Sequence, residues 1–281
     1  AYPRKGFITP SVPFAERWII NMNVWYSFLI AFAMYSRIPV PTVEWTKERM
    51  RYVMCFFPFV GLAEGLFLYL WLLISNGLEF SSGAAGLIGA AVPLIVTGGI
   101  HLDGFLDTMD ALGSYGSREK KLEIMKDPHT GAFAVISCAG YLICYAGLLA
   151  EISQTAVLDY KMGAVLAAVC FMERAFSGLS VALFPCAKDT GLAAAFADSA
   201  EKRMVSRVLV VWLVGGTAAL WFFGGAAGLF TAAGQGLVFV WYYWFSQKKF
   251  GGITGDVAGF YLQVCEMVSL WILVIGMKVI G

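Results

Sequence analysis

Charge is scarce in this chain. Of 281 residues only 14% are charged, while 59% are hydrophobic and the mean hydropathy is +0.72; a soluble domain carries roughly 25% charged residues. That shortage excludes an ordinary soluble globular protein. Twenty Lys and Arg against nineteen Asp and Glu leave a net charge of +1, which by itself says nothing about partners; no nucleic-acid partner is expected. Histidine is nearly absent, with two copies, so a histidine-built zinc site is excluded. The six cysteines form no C-x-x-C pair and most lie inside apolar runs. They read as small buried hydrophobes, which excludes a disulfide framework. There is no low-complexity segment, no convincing internal repeat and no linker long enough to divide domains. The stretch from Tyr2 to Arg17 is polar and proline-bearing, unlike a cleavable signal peptide.

What the chain has in their place is long apolar runs, at about 18–35, 52–75, 83–100, 131–150, 163–184, 206–224, 225–246 and 257–280, each near the length needed to cross a bilayer. The expected fold is all-α: a polytopic transmembrane helical bundle of about seven to eight apolar segments. Residues 1–17 read as a polar N-terminal segment and 18–281 as a single integral membrane catalytic domain. Gly224-Gly225 predicts a tight turn between two antiparallel helices.

The connections alternate in basic content. Arg37, Lys47, Arg49 and Arg51 follow the first run; Arg118, Lys120, Lys121 and Lys126 the third; Lys188, Lys202 and Arg203 the fifth; Lys248 and Lys249 the seventh. The connections between these hold one lysine, Lys161, or none. Positive charge marks the cytoplasmic side, so these loops are expected in the cytoplasm, with the helices among membrane lipids. One conflict stands: a fully spanning first run leaves Arg4, Lys5 and Arg17 outside. An interfacial or partly inserted first helix resolves it.

The chemistry gathers between Gly98 and Gly131. This stretch holds Asp103, Asp107, Asp110 and Asp127 and both histidines, His101 and His129. Asp103, Asp107 and Asp110 are spaced i, i+4, i+7, which on a helix confines them to an arc of about 60°. Three like charges on one stripe repel, and a divalent cation removes the conflict. All-oxygen ligands suit Mg²⁺ or Mn²⁺ and not zinc. Asp127, before Pro128, is a further ligand or a base; His101 and His129 are proton acceptors or hydrogen-bond donors near neutral pH. Some of the basic residues that follow, Lys126 among them, are suited to phosphate oxygens. Gly251-Gly252-Ile253-Thr254-Gly255-Asp256 precedes the last run; Thr254, Gly255 and Asp256 there suit a phosphate cradle at a helix N-terminus, or Asp256 caps that helix. Inside the apolar runs lie Glu64, Glu173-Arg174 and Glu266, intramembrane ionisable groups and so functional candidates. Glu173 and Arg174 are adjacent, and the expectation is that they point to different sides of their helix.

These residues carry a resemblance. Ser36-Arg37-Ile38-Pro39-Val40-Pro41, Phe57-Pro58-Phe59-Val60-Gly61, Gly98 to Asp110, Leu122-Glu123-Ile124-Met125-Lys126-Asp127 and Gly251 to Asp256 with Glu266 are similar, in order, to motifs of the cobalamin synthase family, the adenosylcobinamide-GDP ribazoletransferases. Arg174 and Ala187-Lys188-Asp189-Thr190-Gly191-Leu192 match more loosely. Pro128-His129-Thr130 departs from a segment that usually carries arginine, and Asp110-Ala111 replaces the usual Asp-Gly. The resemblance implies a Mg²⁺-dependent membrane transferase. Such an enzyme joins adenosylcobinamide-GDP to α-ribazole or α-ribazole 5′-phosphate, giving adenosylcobalamin or its phosphate with loss of GMP. It implies metal ligands at Asp103, Asp107 and Asp110, and further catalytic candidates at Asp127, His101 and His129. Substrate contacts are expected at Arg37, Lys126, Arg174, Lys188, Thr254, Gly255 and Asp256, and encounters with other cobalamin-assembly enzymes follow from the pathway step. Two rivals remain from the residues themselves: another aspartate-rich membrane transferase of the prenyltransferase kind, and an ion-coupled transporter using Glu64, Glu173 and Glu266.

Overall fold

The apolar runs become helices, and glycines set where those helices break. The computed structural model describes residues 14–154, 158–188 and 190–280, without the side chains of 14–22, 192 and 280; residues 1–13 of the polar N-terminal segment lie outside it. In chain order the helices are α1 (Phe14–Tyr35), α2 (Lys47–Met50), α3 (Val53–Gly77), α4 (Ser82–Gly89), α5 (Val92–Thr97), α6 (Ile100–Gly113), α7 (Arg118–Ile124), α8 (Ala132–Ser153), α9 (Tyr160–Leu183), α10 (Leu192–Ser199), α11 (Lys202–Phe250) and α12 (Gly255–Ile280). No strand occurs among the described residues; one isolated bridge joins Cys186 to Ile253. The protein is an all-α polytopic membrane protein: α3, α8, α9, α11 and α12 are each long and apolar enough to cross a bilayer.

Helix α9 is the axis of the bundle, 83% buried over its apolar window. Its neighbour α3 approaches closely because Gly61 and Gly65 face it: a Cβ on Gly65 would sit 2.6 Å from Ala167 Cα. Small residues let membrane helices touch backbone to backbone.

The 49-residue α11 is two helices. Unbroken, it would run about 74 Å, twice what a membrane requires. At Gly225 the backbone turns to φ 56°, ψ −139°, and Gly228 comes back against the Leu220 carbonyl. The first half packs on α9 in reverse order, with Leu209 beside Gly178 and Gly224 beside Val165. The second half runs along α9 in the same direction, with Gln235 donating to the Val169 carbonyl and Phe239 against Phe176. The turn expected at Gly224-Gly225 is therefore present. Exposed Val210, Val211, Val214, Trp221, Phe222 and Leu237 cover this hairpin's outer surface, as lipid contact requires.

One segment departs from expectation. The run at 83–100 is not one helix: it breaks at Ala90-Ala91 and stops at Thr97. Gly98 and Gly99 both take left-handed φ values, 69° and 78°, and α6 leaves at 100° to the preceding pair. Side chains rarely adopt that conformation, so two successive glycines give a sharp break. Helix α6, 14 residues long, packs against α12 and α8. Helix α1 contains the first expected run, 18–35, and at 22 residues is about 33 Å long.

Candidate active site

Local chemistry fixes the aspartate helix in place. The Arg37 backbone N–H donates to the Val96 carbonyl at 2.7 Å, and the Arg37 side chain packs over Gly98, in space that a Cβ would fill. Further along α6, Gly104 lets the backbone of α12 in: a Cβ there would lie 2.8 Å from Asp256 Cα. Gly259 answers from α12, meeting the His101 carbonyl. Phe105 stacks on Phe260 with centroids 5.7 Å apart. This crossing carries Asp256 to the aspartate stripe.

The loop before α12 is pinned from the other side. Ile253 N–H donates to the Pro185 carbonyl and Ala187 N–H to that of Ile253, both at 2.9 Å. Gly252, at φ 157°, leaves no room for a side chain against Pro185 and Cys186. The cap of α12 is Thr254, whose Oγ1 accepts from Val257 N–H at 3.1 Å. Asp256, considered for that task, is thereby left for the site.

Asp103 is exposed, while Asp107, Asp110 and Asp256 are half-buried. Partial burial first, and then the charges of Asp103, Asp256 and Asp110, push the Asp107 carboxyl up to about 6. The stripe is thus a concentration of negative charge that the protein's own cations do not neutralise. Asp110 differs from its neighbours. Its Oδ2 accepts from Gly131 N–H, and its Oδ1 accepts from Ala134 N–H at 2.9 Å. It caps the N-terminus of α8, and Gly131 has no Cβ because the Asp110 oxygens occupy that space.

Three cavities meet here. The first, about 520 Å³ and open, is lined by Arg37, Gly98, Gly99 and Asp103. The second, about 290 Å³ and more enclosed, has Tyr35, Phe57, His101 and Phe196 as its walls and Asp103 and Asp256 at its mouth. The third, about 260 Å³, is lined by Lys126, Lys188, Thr190, Thr254 and Asp256. Asp103 is common to the first two and Asp256 to the last two. Lys188 Nζ donates to the Leu122 carbonyl at 3.1 Å; burial, and then the charge of Lys126, pull it below the ordinary lysine range.

The histidines part company. His101 is buried in the wall of the second cavity, and among the described residues its Nε2 has no hydrogen-bond partner. His129 is exposed on the loop before α8, its Nδ1 2.7 Å from Asp127 Oδ1. His129 backbone N–H and then its ring hold the Asp127 carboxyl below the usual range.

Arg174 is not at this site. It is 1% exposed inside the bundle, its Nη2 2.6 Å from Glu64 Oε2 and its Nη1 bonded to Glu173 Oε1. The expected placement as a substrate contact is corrected by these bonds, and so is the expectation that adjacent Glu173 and Arg174 point apart: the guanidinium is long enough to curl back onto its neighbour. Glu266 accepts from Tyr145 at 2.7 Å and Tyr141 at 3.3 Å. Among the described residues, ligand atoms of Glu64, Cys170, Glu173 and Glu266 lie within 4.8 Å of one another. The walls Tyr35, Phe57 and Phe196 were not singled out as site residues in sequence. Tyr35 directly precedes the Ser36-Arg37 element and Phe57 opens a family-like motif, so both carried a signal; Phe196 carried none.

Comparison with known proteins places these features in context. A family model described as cobalamin-5-phosphate synthase matches residues 27–274. An adenosylcobinamide-GDP ribazoletransferase of Lachnoclostridium phytofermentans is 39% identical over 254 residues, covering 90% of this chain and 95% of the relative. Proteins of the same name from Brevibacillus brevis and Clostridium perfringens are 34% and 30% identical, each over 88% or more of this chain and 97% or more of their own length. No solved structure matches.

Proposed function

This chain belongs to the cobalamin-5-phosphate synthase family, and from that premise we infer how its residues share the work. It is an enzyme of the adenosylcobinamide-GDP ribazoletransferase type, acting at the nucleotide-loop assembly step of cobalamin biosynthesis. The hydroxyl oxygen of the ribazole acceptor forms a bond to the corrinoid-side phosphorus of the diphosphate. The bond from that phosphorus to the bridging oxygen breaks, GMP leaves, and the hydroxyl proton passes to a base.

The observation that carries the site assignment is the meeting of three cavities at Asp103 and Asp256, beside a carboxylate, Asp107, whose neighbours are all negative. Such a donor set fits a hard divalent cation. Asp103 and Asp107, with Asp256 across from them, are the residues that would hold Mg²⁺, which when bound neutralises diphosphate oxygens and the charge developing on the leaving phosphate. Arg37, beside Asp103 in the open cavity, supports the donor diphosphate with a planar cation. Asp127 orients the His129 ring as carboxylates orient basic histidines elsewhere, and His129 takes the hydroxyl proton. Asp110 holds the start of α8, and with it the loop carrying His129, against α6.

Basic loops gather at this end of the bundle: Arg118 donates to the Lys248 carbonyl at 3.2 Å and Lys188 to that of Leu122. By the positive-inside tendency this end faces the cytoplasm of a cell with the protein in its inner membrane. The test is GMP release by purified protein given adenosylcobinamide-GDP and α-ribazole 5′-phosphate, with Mg²⁺ and with a chelator. GMP and a cobalamin product appearing only with the cation is the expected result. Asp103→Asn retaining full cation-dependent turnover overturns the ligand assignment.

A further inference from the structure

The two substrates named for this family differ in shape, and so do the cavities. A corrinoid is far too large for an enclosed space of about 290 Å³, whereas a bicyclic heterocycle fits. Four rings build that space. Tyr35 lies 4.3 Å from Phe57 and 6.0 Å from His101, near parallel to the latter at 23°, and Phe196 closes the wall 6.2 Å from Tyr35. Flat aromatic walls suit a flat aromatic ligand. A second observation points to the same ligand: His101, 4% exposed, leaves Nε2 without a partner among the described residues, and a buried unpaired polar atom is costly unless something pairs with it. A benzimidazole has one ring nitrogen free to accept from an Nε2–H.

The adjoining cavity continues from that chamber past Ala193, Gly255 and Asp256, which line both. It presents Lys126 and Lys188 on a lining shared with Asp256; the Lys188 ammonium bonds the Leu122 carbonyl and, among the described residues, no carboxylate. Two neighbouring lysines await an anion. The donor side, across Asp103, has Arg37 instead.

Building on the transferase reading above, we propose that the aromatic chamber seats the acceptor's benzimidazole, with His101 Nε2 bonded to its free ring nitrogen, and that Lys126 and Lys188 hold the acceptor's 5′-phosphate, not the donor diphosphate. The acceptor then spans two cavities, and its sugar lies by Asp256, facing the donor across Asp103.

The test is steady-state kinetics of the full-length protein in detergent, with acceptor varied at saturating adenosylcobinamide-GDP and then adenosylcobinamide-GDP varied at saturating acceptor. Three acceptors are compared: α-ribazole 5′-phosphate, α-ribazole, and the indole analogue of the phosphate, which lacks the ring nitrogen. Lys126→Gln and Lys188→Gln are expected to raise KM for the phosphorylated acceptor about tenfold, leaving the KM values of α-ribazole and of the donor within about twofold. The indole analogue is expected to bind about tenfold more weakly than α-ribazole 5′-phosphate to the unsubstituted protein, and His101→Phe to erase that difference. The analogue needs no variant, so a misfolded His101→Phe leaves this arm decisive. Lysine variants that raise the donor KM, or both acceptors' KM alike, overturn the phosphate assignment; equal use of indole and benzimidazole overturns the chamber assignment. Unsubstituted protein that releases no GMP with any acceptor overturns the transferase reading itself, a result distinct from unselective turnover.

Discussion

Two acidic groups sit in this molecule, and they have little in common beyond their carboxylates. The glutamates of the bundle interior, Glu64, Glu173 and Glu266, are 0–1% exposed and lie within 4.8 Å of one another with Cys170. By distance alone they look more like a chelate than the aspartates do. Yet Arg174 bonds two of them and two tyrosine hydroxyls bond the third. The aspartates on α6 and α12 are looser and wetter, and three cavities open on them. Proximity of carboxylates therefore does not mark a reaction site; uncompensated charge with room for a ligand does. The interior group reads as a clamp joining α3, α9, α8 and α12, and it offers no separate halves or open pathway of the kind an ion-coupled transporter needs.

The comparison breaks most sharply at Arg174. Removing one partner of a buried ion pair leaves charge without compensation, at a cost of about 3–5 kcal/mol. Arg174→Ala is expected to lower the thermal unfolding midpoint in detergent markedly. Glu64→Gln should be tolerated or even stabilising, because three carboxylates face a single guanidinium in this cluster. Equal damage from both substitutions would mean that the interior carboxylates hold something other than Arg174.

At the aspartates the pattern should invert. Asp103→Asn keeps size and removes charge on an exposed side chain, so the unfolding midpoint should hardly move, while turnover falls more than about 100-fold, as for loss of other electrostatic contacts to a transition state. Midpoint and rate measured on the same preparations decide it. A smaller effect concerns pH. Asp107 is raised to about 6 from an ordinary 3.8, so between those values the folded protein holds a proton that the unfolded chain has lost. Without a cation, stability from this group is present at low pH and declines as pH rises through about 6. A cation must displace that proton, so the Mg²⁺ concentration for half-maximal activity should drop about tenfold per pH unit below about 6 and level off above. A flat dependence from about pH 5 to 7 would remove Asp107 from the ligand set.

Much of this was legible in the chain. Long apolar runs announced the helices, Gly224-Gly225 announced the hairpin, and the i, i+4, i+7 aspartates announced one polar face. What stayed hidden depended on partners remote in sequence. Nothing near Phe196 tells that it closes a chamber against Tyr35 from another helix. Arg174 was expected to contact substrate because the glutamate it meets on α3 is 110 residues away. The run at 83–100 looked like one span because hydropathy does not register the break at Ala90-Ala91, whereas the paired glycines Gly98-Gly99 did announce the break before α6. Asp256 was the candidate cap of α12 in sequence, and only the fold gave that task to Thr254.

The smallest effect tests the one aspartate that belongs to both kinds of region. Asp110 shares the stripe's spacing, yet its two oxygens accept from Gly131 and Ala134 at the start of α8. It is a helix cap supplied by a different helix. Loss of a cap costs about 1 kcal/mol, so Asp110→Ala should lower the unfolding midpoint by a few degrees, unlike Asp103→Asn. Its effect on turnover should come through the loop that carries His129: a lower kcat with the Mg²⁺ requirement unchanged. Asp110→Asn, whose amide oxygen can still accept one of the two bonds, should recover part of the stability and part of the rate. If instead Asp110→Ala leaves the midpoint alone and shifts the Mg²⁺ dependence as far as Asp107→Asn does, the capping bonds are incidental and Asp110 is a full ligand. The stripe would then act as the three-carboxylate unit its spacing suggests. If stability moves and the cation dependence does not, the α6 contribution narrows to Asp103 and Asp107, and Asp256 from α12 becomes the third carboxylate of the site.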